Sequence, residues 1–369
     1  MRILHLLSSN AFHGAESMTL QLMRAQLAGG HVPVLALLDN GDVANDELQQ
    51  RFQQAGIEVH RLACRGRFDF GLVRRLRAVL RGGKFDFFHS HKYKATFHGL
   101  LATRGTVPMV GTYHNWVLTD RALRFYAWLD KRLARACAAC VGVSSEVCVE
   151  LRRFVPARRV HHIANGIDVE HWQAPAPDAA RFGLPADAPV IGFVGRLSPE
   201  KGVPLLLEAL AQLAPVNGRE VHLLLAGDGP DRSLLESQAE VLGIRARVHF
   251  AGTVADTRTV YGAVQLVVLP SLTEGLPMTV LEAMSCERPV LATAVGELPA
   301  LVMPGETGWL LANRDAKELA GMLDAALGDP ENLRRMGARA RHLVTASYSA
   351  VAMSAAYARL YTGIIGRRP

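Results

Sequence analysis

Two cations flank a turn in the second half of the chain. The segment Gly195-Arg196-Leu197-Ser198-Pro199-Glu200-Lys201-Gly202 follows an apolar stretch that reads as a strand and precedes a predicted helix. Gly195, at the strand end, permits close approach of the backbone, and the N-terminus of a helix favours anions. Arg196 can contact two phosphate oxygens at once, and Lys201 adds a point charge. This spacing indicates a diphosphate site, although the two cations would also suit a solvated loop.

Two carboxylates follow a second apolar strand. In the stretch from Leu269 to Met284, Glu274 falls in a loop and Glu282 falls inside the helix that Pro277 introduces. Carboxylates accept hydrogen bonds from hydroxyl groups, so the pair suits a sugar and a ribose. Apolar neighbours surround both, which is not typical of surface charge. The alternative for Glu274 is a role limited to capping the helix.

Further polar residues lie near strand ends in the first half. The stretch from Asn10 to Ser17 is a strand–loop–helix junction that contains Gly14, a geometry suited to anions. It lacks the three-glycine dinucleotide pattern, which disfavours NAD or FAD. His114 falls where a strand should end, and this favours a functional role over a structural one. Other histidines gather near strand ends: His89, His91 and His98.

Short apolar segments alternate with amphipathic ones along the whole chain. The predicted strands are Ile3–Leu7, Val32–Leu38, Phe85–His89, Met109–Thr112, Cys140–Val143, Val190–Val194, Val221–Ala226, Arg247–Phe250, Leu266–Leu269 and Pro289–Ala292. The predicted helices are Ser17–Leu27, Leu72–Leu80, Thr96–Arg104, Pro204–Leu213, Arg232–Leu242, Pro277–Ser285 and an apolar-periodic C-terminal segment, Tyr348–Ile365. This alternation predicts parallel sheets covered by helices on both faces.

A proline-rich stretch, His171–Ala188, interrupts the alternation and reads as a linker. The sequence therefore predicts an α/β protein with two Rossmann-like domains, 1–168 and 169–347, that face each other across a cleft. Ligands of such sheets bind at the carboxyl ends of the strands. A cleft of this kind would let a donor meet an acceptor.

Composition and charge narrow the function classes. With 369 residues, 49% hydrophobic and 20% charged, the chain suits two globular domains and not a disordered protein. Residues 1–168 carry 23 Lys and Arg against 13 Asp and Glu, a net +10, whereas residues 169–369 carry 18 against 21, a net −3. The basic half favours an anionic membrane or a phosphorylated acceptor, or it is a solvated face. Nucleic acid is disfavoured because no binding motif accompanies the charge.

The apolar segments bear on location. The N-terminal apolar stretch is too short for a signal peptide, and no apolar run reaches the ~18 residues that span a bilayer. We therefore expect a cytoplasmic protein that could lie against the inner face of the membrane. Cys137 and Cys140 have metal or redox spacing but lack a second pair, so we expect the five cysteines to be buried thiols.

Taken together, the motifs resemble those of retaining glycosyltransferases of family 4, which have the GT-B fold. The resemblance rests on Gly195-Arg196-Leu197 with Glu200-Lys201-Gly202, on Ala226-Gly227-Asp228-Gly229-Pro230, on Pro270-Ser271 with Glu274-Gly275, and on Glu282-Ala283. It covers nearly the whole chain and is strongest from 165 to 312. The two carboxylates with seven residues between them are the hallmark of that family.

The resemblance implies a transfer of a hexose or N-acetylhexosamine, with retention, from a UDP- or GDP-sugar to a sugar or a lipid-linked acceptor. Such a reaction serves the synthesis of cell-surface polysaccharide, lipopolysaccharide or glycolipid. The resemblance also implies that no metal and no other cofactor is needed. It implies that a C-terminal helix, about 348–369, packs back on the first domain.

The resemblance assigns a role to each matching residue. Arg196 and Lys201 would stabilise the diphosphate as it leaves, Glu274 would contact the transferred sugar, and Glu282 would hold the ribose. His114 would position the sugar. The remaining donor contacts would come from the backbone at Gly14, Gly195, Gly275, Leu276 and Pro277.

One departure concerns the acceptor side. His13 replaces a glycine that is common in the family loop before Ala-Glu. Two other functions remain open at this point: a nucleotide-sugar epimerase of similar architecture, and a non-catalytic protein that binds a nucleotide sugar.

Overall fold

A computed structural model of the chain describes residues 1–8, 14–39, 41, 44–66, 68–91, 93–114 and 121–366. The chain divides into two compact units. Met1–Gly166 and Ala350–Pro369 form the first unit, and Ile167–Ser349 form the second. The chain therefore leaves the first unit at Gly166 and returns to it after Ser349.

The first unit contains a parallel sheet of seven strands in the order β3-β2-β1-β4-β5-β6-β7. The strands are β1 Arg2–Ser8, β2 Val32–Asp39, β3 Glu58–Ala63, β4 Phe87–His91, β5 Met109–Tyr113, β6 Ala139–Gly142 and β7 Val160–His162. The helices are α1 Gly14–Ala28, α2 Ala44–Gln54, α3 Phe70–Gly83, α4 Tyr93–Thr103, α5 Arg121–Leu133 and α6 Ser145–Arg152. The central strands are buried, as expected where helices cover both faces, although β1 and β4 also carry buried histidines.

The second unit contains a parallel sheet of six strands in the order β10-β9-β8-β11-β12-β13. Its strands are β8 Val190–Val194, β9 His222–Ala226, β10 Val248–Gly252, β11 Leu266–Leu269, β12 Val290–Thr293 and β13 Gly308–Leu311. Its helices are α7 Val203–Gln212, α8 Arg232–Val241, α9 Arg258–Ala263, α10 Met278–Ser285, α11 Leu298–Leu301, α12 Ala316–Leu327 and α13 Pro330–Ser347. The strand order reverses between β8 and β11, and this reversal is where ligands of Rossmann-like sheets bind.

The two parallel α/β sheets confirm the predicted fold class. Three strands were missed for physical reasons. β3 carries Glu58 and Arg61 and is largely exposed, β7 has only three residues, and β13 is short and begins with glycine. The interpretation of 171–188 as a linker was wrong, because this stretch lies within the second unit, where the Arg258 guanidinium donates to the His171 carbonyl at 3.2 Å.

The last helix, α14 (Ala350–Ile365), belongs to the first unit and contacts α1. Two fully buried tyrosines fix it to the sheet. The Tyr357 hydroxyl lies 2.8 Å from Thr112 Oγ1, and the Tyr361 hydroxyl lies 2.7 Å from His89 Nδ1. A buried hydroxyl needs such a partner, so these bonds determine how α14 packs on the sheet.

In the second unit the loops after neighbouring strands touch through glycine. Gly202 has φ +67°, and a Cβ added there would lie 2.1 Å from the Pro270 carbonyl oxygen. Gly227 has φ +135°, and its added Cβ would lie 1.9 Å from the Gly195 carbonyl oxygen. Only glycine permits both the positive φ and this approach. The loop after β8 is therefore in contact with the loops after β9 and β11.

All five cysteines are buried free thiols, as predicted. Among the described residues, none of the helices combines the length and the apolar character needed to cross a bilayer.

We expect Tyr361→Phe to lower the free energy of unfolding by about 1–3 kcal/mol, because it leaves the buried His89 ring nitrogen without its hydroxyl partner. Urea unfolding measures the change. Thr362→Val, which removes an exposed hydroxyl from the next position of the same helix, is the matched control and should change the free energy by less. An equal effect of the two substitutions would contradict the anchoring role of Tyr361.

We expect Gly202→Ala to destabilise the second unit by more than about 1 kcal/mol, because the new methyl group collides with backbone at a positive φ. Gly321→Ala, in α12, is the control because nothing lies within 4 Å of its added Cβ. This control should raise stability by up to about 1 kcal/mol through helix propensity. Thermal unfolding of both variants tests the opposite signs.

Candidate functional site

An ion pair joins the loops on the two sides of the strand reversal. Lys201, in the 3-10 turn after β8, places its Nζ 2.7 Å from Oε1 of Glu274, in the loop after β11. Glu274 is 8% exposed and Lys201 is 22% exposed. The structure therefore brings together one predicted cation and one predicted carboxylate.

The Glu274 carboxylate is held by more than its cation. The Ser271 hydroxyl donates to the same Oε1 at 2.7 Å, and the Thr293 hydroxyl fixes Ser271 by donating to its carbonyl at 2.6 Å. The Glu297 amide donates to the Gly275 carbonyl at 3.0 Å. Loops after β11 and β12 thus hold this carboxylate in place, and it does not act as a side-chain cap of α10.

Arg196 lies in the same loop as Lys201, and its side chain is exposed. Gly195, before it, donates its amide to the Ala226 carbonyl of β9 at 3.0 Å. Burial opposes ionisation of Glu200, but the Ser198 hydroxyl and the charges of Lys201 and Arg196 outweigh it, so the pKa of Glu200 lies below its ordinary value. The loop therefore presents Arg196 to solvent on a fixed backbone.

Glu282 lies on α10, and its environment differs from that of Glu274. The buried Tyr261 hydroxyl, from α9, donates to Glu282 Oε2 at 2.9 Å. Burial raises the pKa of Glu282 to about 7, although hydrogen bonds from Tyr261 and Thr257 favour the carboxylate. Leu276 and Pro277, just before α10, are buried. Glu274 and Glu282 are thus both buried.

Two predicted residues lie in the first unit. Gly14 is the first residue of α1, and His114 is half-buried just beyond the end of β5. His13 and the rest of the predicted loop at 9–13 lie outside the described residues.

The histidines of β4 meet one from β1 at the strand reversal of the first sheet. His5 Nδ1 lies 3.2 Å from His91 Nε2, and His5 Nε2 lies 2.9 Å from Gln26 Oε1. Burial lowers the pKa of His5 to about 4 and that of His89 well below its ordinary value, so both rings are neutral near pH 7. His98 is also buried and accepts from the Asp69 amide at 3.0 Å.

Nitrogen atoms of His5, His89 and His91 lie within 4.8 Å of one another, which is close enough to consider one metal ion. Both His89 nitrogens already have hydroxyl partners. We therefore interpret the cluster as a hydrogen-bonded network that positions α14.

Sequence reasoning missed several residues of the site. Ser271 belongs to the Pro270-Ser271 motif, but a serine at that position does not by itself indicate a hydrogen bond to Glu274. Tyr261 lies 21 positions before Glu282 in another helix, and no local pattern connects the two. His5 carried a weak signal, because it sits inside an apolar strand.

The second unit thus offers two cations and two carboxylates in loops and helices that follow β8 and β11. Such an arrangement can bind a polyhydroxylated ligand through its hydroxyls and an anionic group through Arg196 and Lys201.

Two family models match the chain. Residues 12–171 match Glycosyltransferase Family 4, and residues 177–343 match Glycosyl transferases group 1. The two matches leave between them only residues 172–176, just after the chain enters the second unit.

Similar proteins of known name include an alpha-D-kanosaminyltransferase of Streptomyces kanamyceticus, 34% identical over 64% of this chain and 63% of that protein. A D-inositol 3-phosphate glycosyltransferase of Mycolicibacterium smegmatis is 31% identical over 80% of this chain and 72% of that protein. The chain thus spans somewhat under two thirds of the length of the first relative and somewhat over two thirds of the second.

Solved structures agree in fold. HepE of Anabaena, solved in complex with UDP-glucose, superposes with a TM-score of 0.85 at 23% identity over 98% of this chain and 100% of that one. Sucrose-phosphate synthase of Thermosynechococcus elongatus superposes with a TM-score of 0.82 at 24% identity over the whole of both chains. With the paired family models, the relatives and these two folds in agreement, the chain belongs to the glycosyltransferases of family 4, enzymes with the GT-B fold.

Proposed function

We propose that the protein transfers a hexose or an N-acetylhexosamine from a nucleoside diphosphate sugar to an acceptor, with retention of the anomeric configuration. The observation that carries this proposal is the Lys201–Glu274 ion pair at the strand reversal of the second sheet, with Arg196 exposed in the same loop. The donor diphosphate would bind beside Arg196 and Lys201.

Within the proposal, the bond between the anomeric carbon and the diphosphate oxygen breaks, and negative charge collects on the leaving diphosphate. Arg196 and Lys201 stabilise that charge where it develops. The acceptor hydroxyl oxygen then bonds to the same face of the anomeric carbon, and its proton passes to the departing diphosphate oxygen. Glu274 holds hydroxyls of the transferred sugar, and Glu282 holds the ribose.

The backbone at Gly195, Gly275, Leu276 and Pro277 completes the donor site in this proposal. The family resemblance also gives Gly14 a backbone contact with the donor and His114 a part in positioning the sugar, and these two roles stay predictions. The proposal includes no metal, because Arg196, Lys201 and backbone N–H groups supply the positive charge beside the diphosphate.

The relatives support the choice of substrates. HepE was solved with UDP-glucose, which supports a UDP-sugar donor here, with a GDP-sugar as the second candidate. The inositol 3-phosphate glycosyltransferase is named for an anionic acceptor, and the basic first half of this chain suits an anionic or lipid-linked acceptor. A role in cell-surface polysaccharide, lipopolysaccharide or glycolipid synthesis follows from such an acceptor.

The two other functions are not favoured. The relatives named above are transferases, which argues against an epimerase. The paired cation and carboxylate argue against a protein that only binds its ligand. Incubation with donor alone distinguishes the epimerase, since it would convert the sugar without an acceptor.

A thermal-shift screen against UDP-, GDP- and ADP-sugars identifies the donor, because a ligand that binds the folded state raises apparent stability. At a donor concentration of about 100 Kd the gain is about 2.7 kcal/mol. No shift with any of the three classes would contradict the proposed function.

With the donor identified, we expect Arg196→Ala to lower kcat at least about 100-fold, because it removes a charge that stabilises the leaving diphosphate. Its Tm should be unchanged because the side chain is exposed. Lys201→Ala should lower both kcat and Tm, since it leaves the buried Glu274 carboxylate without its cation. Initial rates and thermal unfolding measure the two effects.

Lys317→Ala is the matched control, since Lys317 is an exposed cation on α12 of the same unit. It should keep full activity. If Arg196→Ala and Lys201→Ala both transferred sugar as fast as the unsubstituted enzyme, the assigned diphosphate site would be excluded.

Donor affinity should depend on pH through Glu282. Its ionised carboxylate accepts stronger hydrogen bonds from ribose hydroxyls than the protonated carboxyl does, and its pKa is about 7. Lowering the pH from 8 to 6 therefore protonates it and should raise the donor Kd by up to about tenfold. Calorimetric titration at several pH values measures this, and Glu282→Gln should bind weakly with a flat profile. An equally steep profile in that variant would assign the titration to another group.

A further inference from the structure

A row of aromatic side chains extends from the segment before α3 across α4 and α5 of the first unit. Phe68, just before α3, meets Phe97 of α4 edge to face with ring centroids 4.9 Å apart. Tyr93, one turn before Phe97 on the same face of α4, stacks on Tyr126 of α5 at 4.8 Å. Tyr126 in turn contacts Phe125. We call this row, together with Trp128, the aromatic ridge.

The outer members of the ridge are in contact with solvent. Phe68, Phe125 and Trp128 are 45%, 51% and 47% exposed, and Phe70 nearby is 72% exposed. On α5 the opposite side faces the protein, since Ala127 and Asp130 are buried. A run of large exposed aromatics marks an interaction surface, because isolated exposed apolar residues are ordinary but contiguous ones are costly.

The segment of the chain that carries the ridge is strongly basic. Residues 64–135 contain 15 Lys and Arg against four Asp and Glu, and the exposed cations on described side chains include Arg65, Arg74, Arg124 and Arg132. The Arg132 guanidinium lies 5.2 Å from the centroid of the Trp128 ring.

The carboxylates of the same segment do little to cancel this charge. Asp69 caps α3 and pairs with Arg75 at 2.9 Å, and Asp130 is buried. Asp86 accepts from the Arg2 amide beside the start of β1, and Asp120 lies outside the described residues. Arg75 is thus paired within the segment and Lys131 pairs with Glu150 at 2.7 Å, whereas Arg65, Arg74, Arg124 and Arg132 have exposed side chains that can meet an anionic surface.

We propose that the aromatic ridge and its cations form the face with which this protein docks on an anionic lipid membrane. Aromatic rings of this kind insert at the boundary between headgroups and acyl chains, while Arg side chains contact the lipid phosphates. Both features are needed, since charge alone gives a binding that salt removes and aromatics alone give no preference for anionic lipid. The face delivers the enzyme to a lipid-linked acceptor, and in that respect it rests on the proposed function.

A second copy of this chain is a poorer occupant, because its ridge would carry the same positive charge. Nucleic acid would use the cations, but exposed Phe and Trp on the outer side of a helix match a bilayer interface better than a base-stacking groove.

The test is sedimentation of the purified full chain with phosphatidylcholine vesicles, with and without phosphatidylglycerol. We expect binding to the anionic vesicles only. Phe125→Ser combined with Trp128→Ser should weaken this binding at least about tenfold by removing the inserted rings. Arg124→Gln combined with Arg132→Gln should weaken it and reduce its dependence on salt.

Leu234→Ser combined with Val241→Ser is the matched control, because these residues are 62% and 86% exposed on α8 of the second unit. It should bind vesicles as the unmodified chain does. Unchanged binding by the aromatic double variant, or no binding by the unmodified chain, would overturn the inference. If the chain bound a single-stranded oligonucleotide more tightly than the anionic vesicles, the face would be assigned to nucleic acid instead. If the unmodified chain formed a dimer and the aromatic double variant did not, the face would be assigned to a second copy of the chain.

The thermal shift with donor, measured on each variant, separates this inference from the proposed function. Vesicle binding without any donor shift would leave the docking face standing and remove the transferase assignment. A thermal shift with donor but no vesicle binding would leave the transferase assignment standing and remove the docking face.

Discussion

The ion pair between Lys201 and Glu274 is the contact on which the organisation of the second unit depends. Burying a carboxylate to 8% exposure costs several kcal/mol of desolvation, and a nearby cation offsets that cost. That cation comes from the loop after β8, whereas the carboxylate follows β11, and the two strands are neighbours only because the sheet reverses its order there. The close glycine contact between Gly202 and Pro270 lets the loops approach. The strand order, the glycine positions and the charges therefore all contribute to bringing Lys201 and Glu274 together.

At the centre of its sheet, the first unit buries neutral polar side chains, whereas the second unit buries a carboxylate paired with a cation. Its central polar groups are histidine, tyrosine and threonine side chains joined by hydrogen bonds, and burial keeps His5 and His89 neutral. A neutral network carries no desolvation penalty for a full charge, and it gives α14 a defined position through Tyr357 and Tyr361. The excess charge of this unit consequently lies on its surface. This distribution is what leaves cations around the aromatic ridge.

Much of the fold and part of the site could be predicted from sequence. Apolar runs such as Val190–Val194 and Leu266–Leu269 were predicted with the bounds that the structure has, because strands buried on both faces have one unbroken signal. Strands such as Glu58–Ala63 were missed because polar residues on an exposed edge erase that signal. In the site, the contiguous motif around Glu274 could be read directly. The contact between Tyr261 and Glu282 could not, because it depends on how α9 and α10 pack.

Charge balance explains why the proposed donor site uses backbone as well as side chains. A diphosphate ester brings two negative charges, and Arg196 with Lys201 would match them if Glu274 did not already share Lys201. The deficit has to be met by backbone N–H groups, which need no counter-charge of their own. Such groups can approach phosphate closely only where side chains do not intervene, as at Gly275 and beside Gly195, whose own amide already donates to the Ala226 carbonyl. Backbone N–H groups near these glycines thus make up for the charge of Lys201 that Glu274 takes up. The sequence places the glycines and the carboxylate after the adjacent strands β8 and β11.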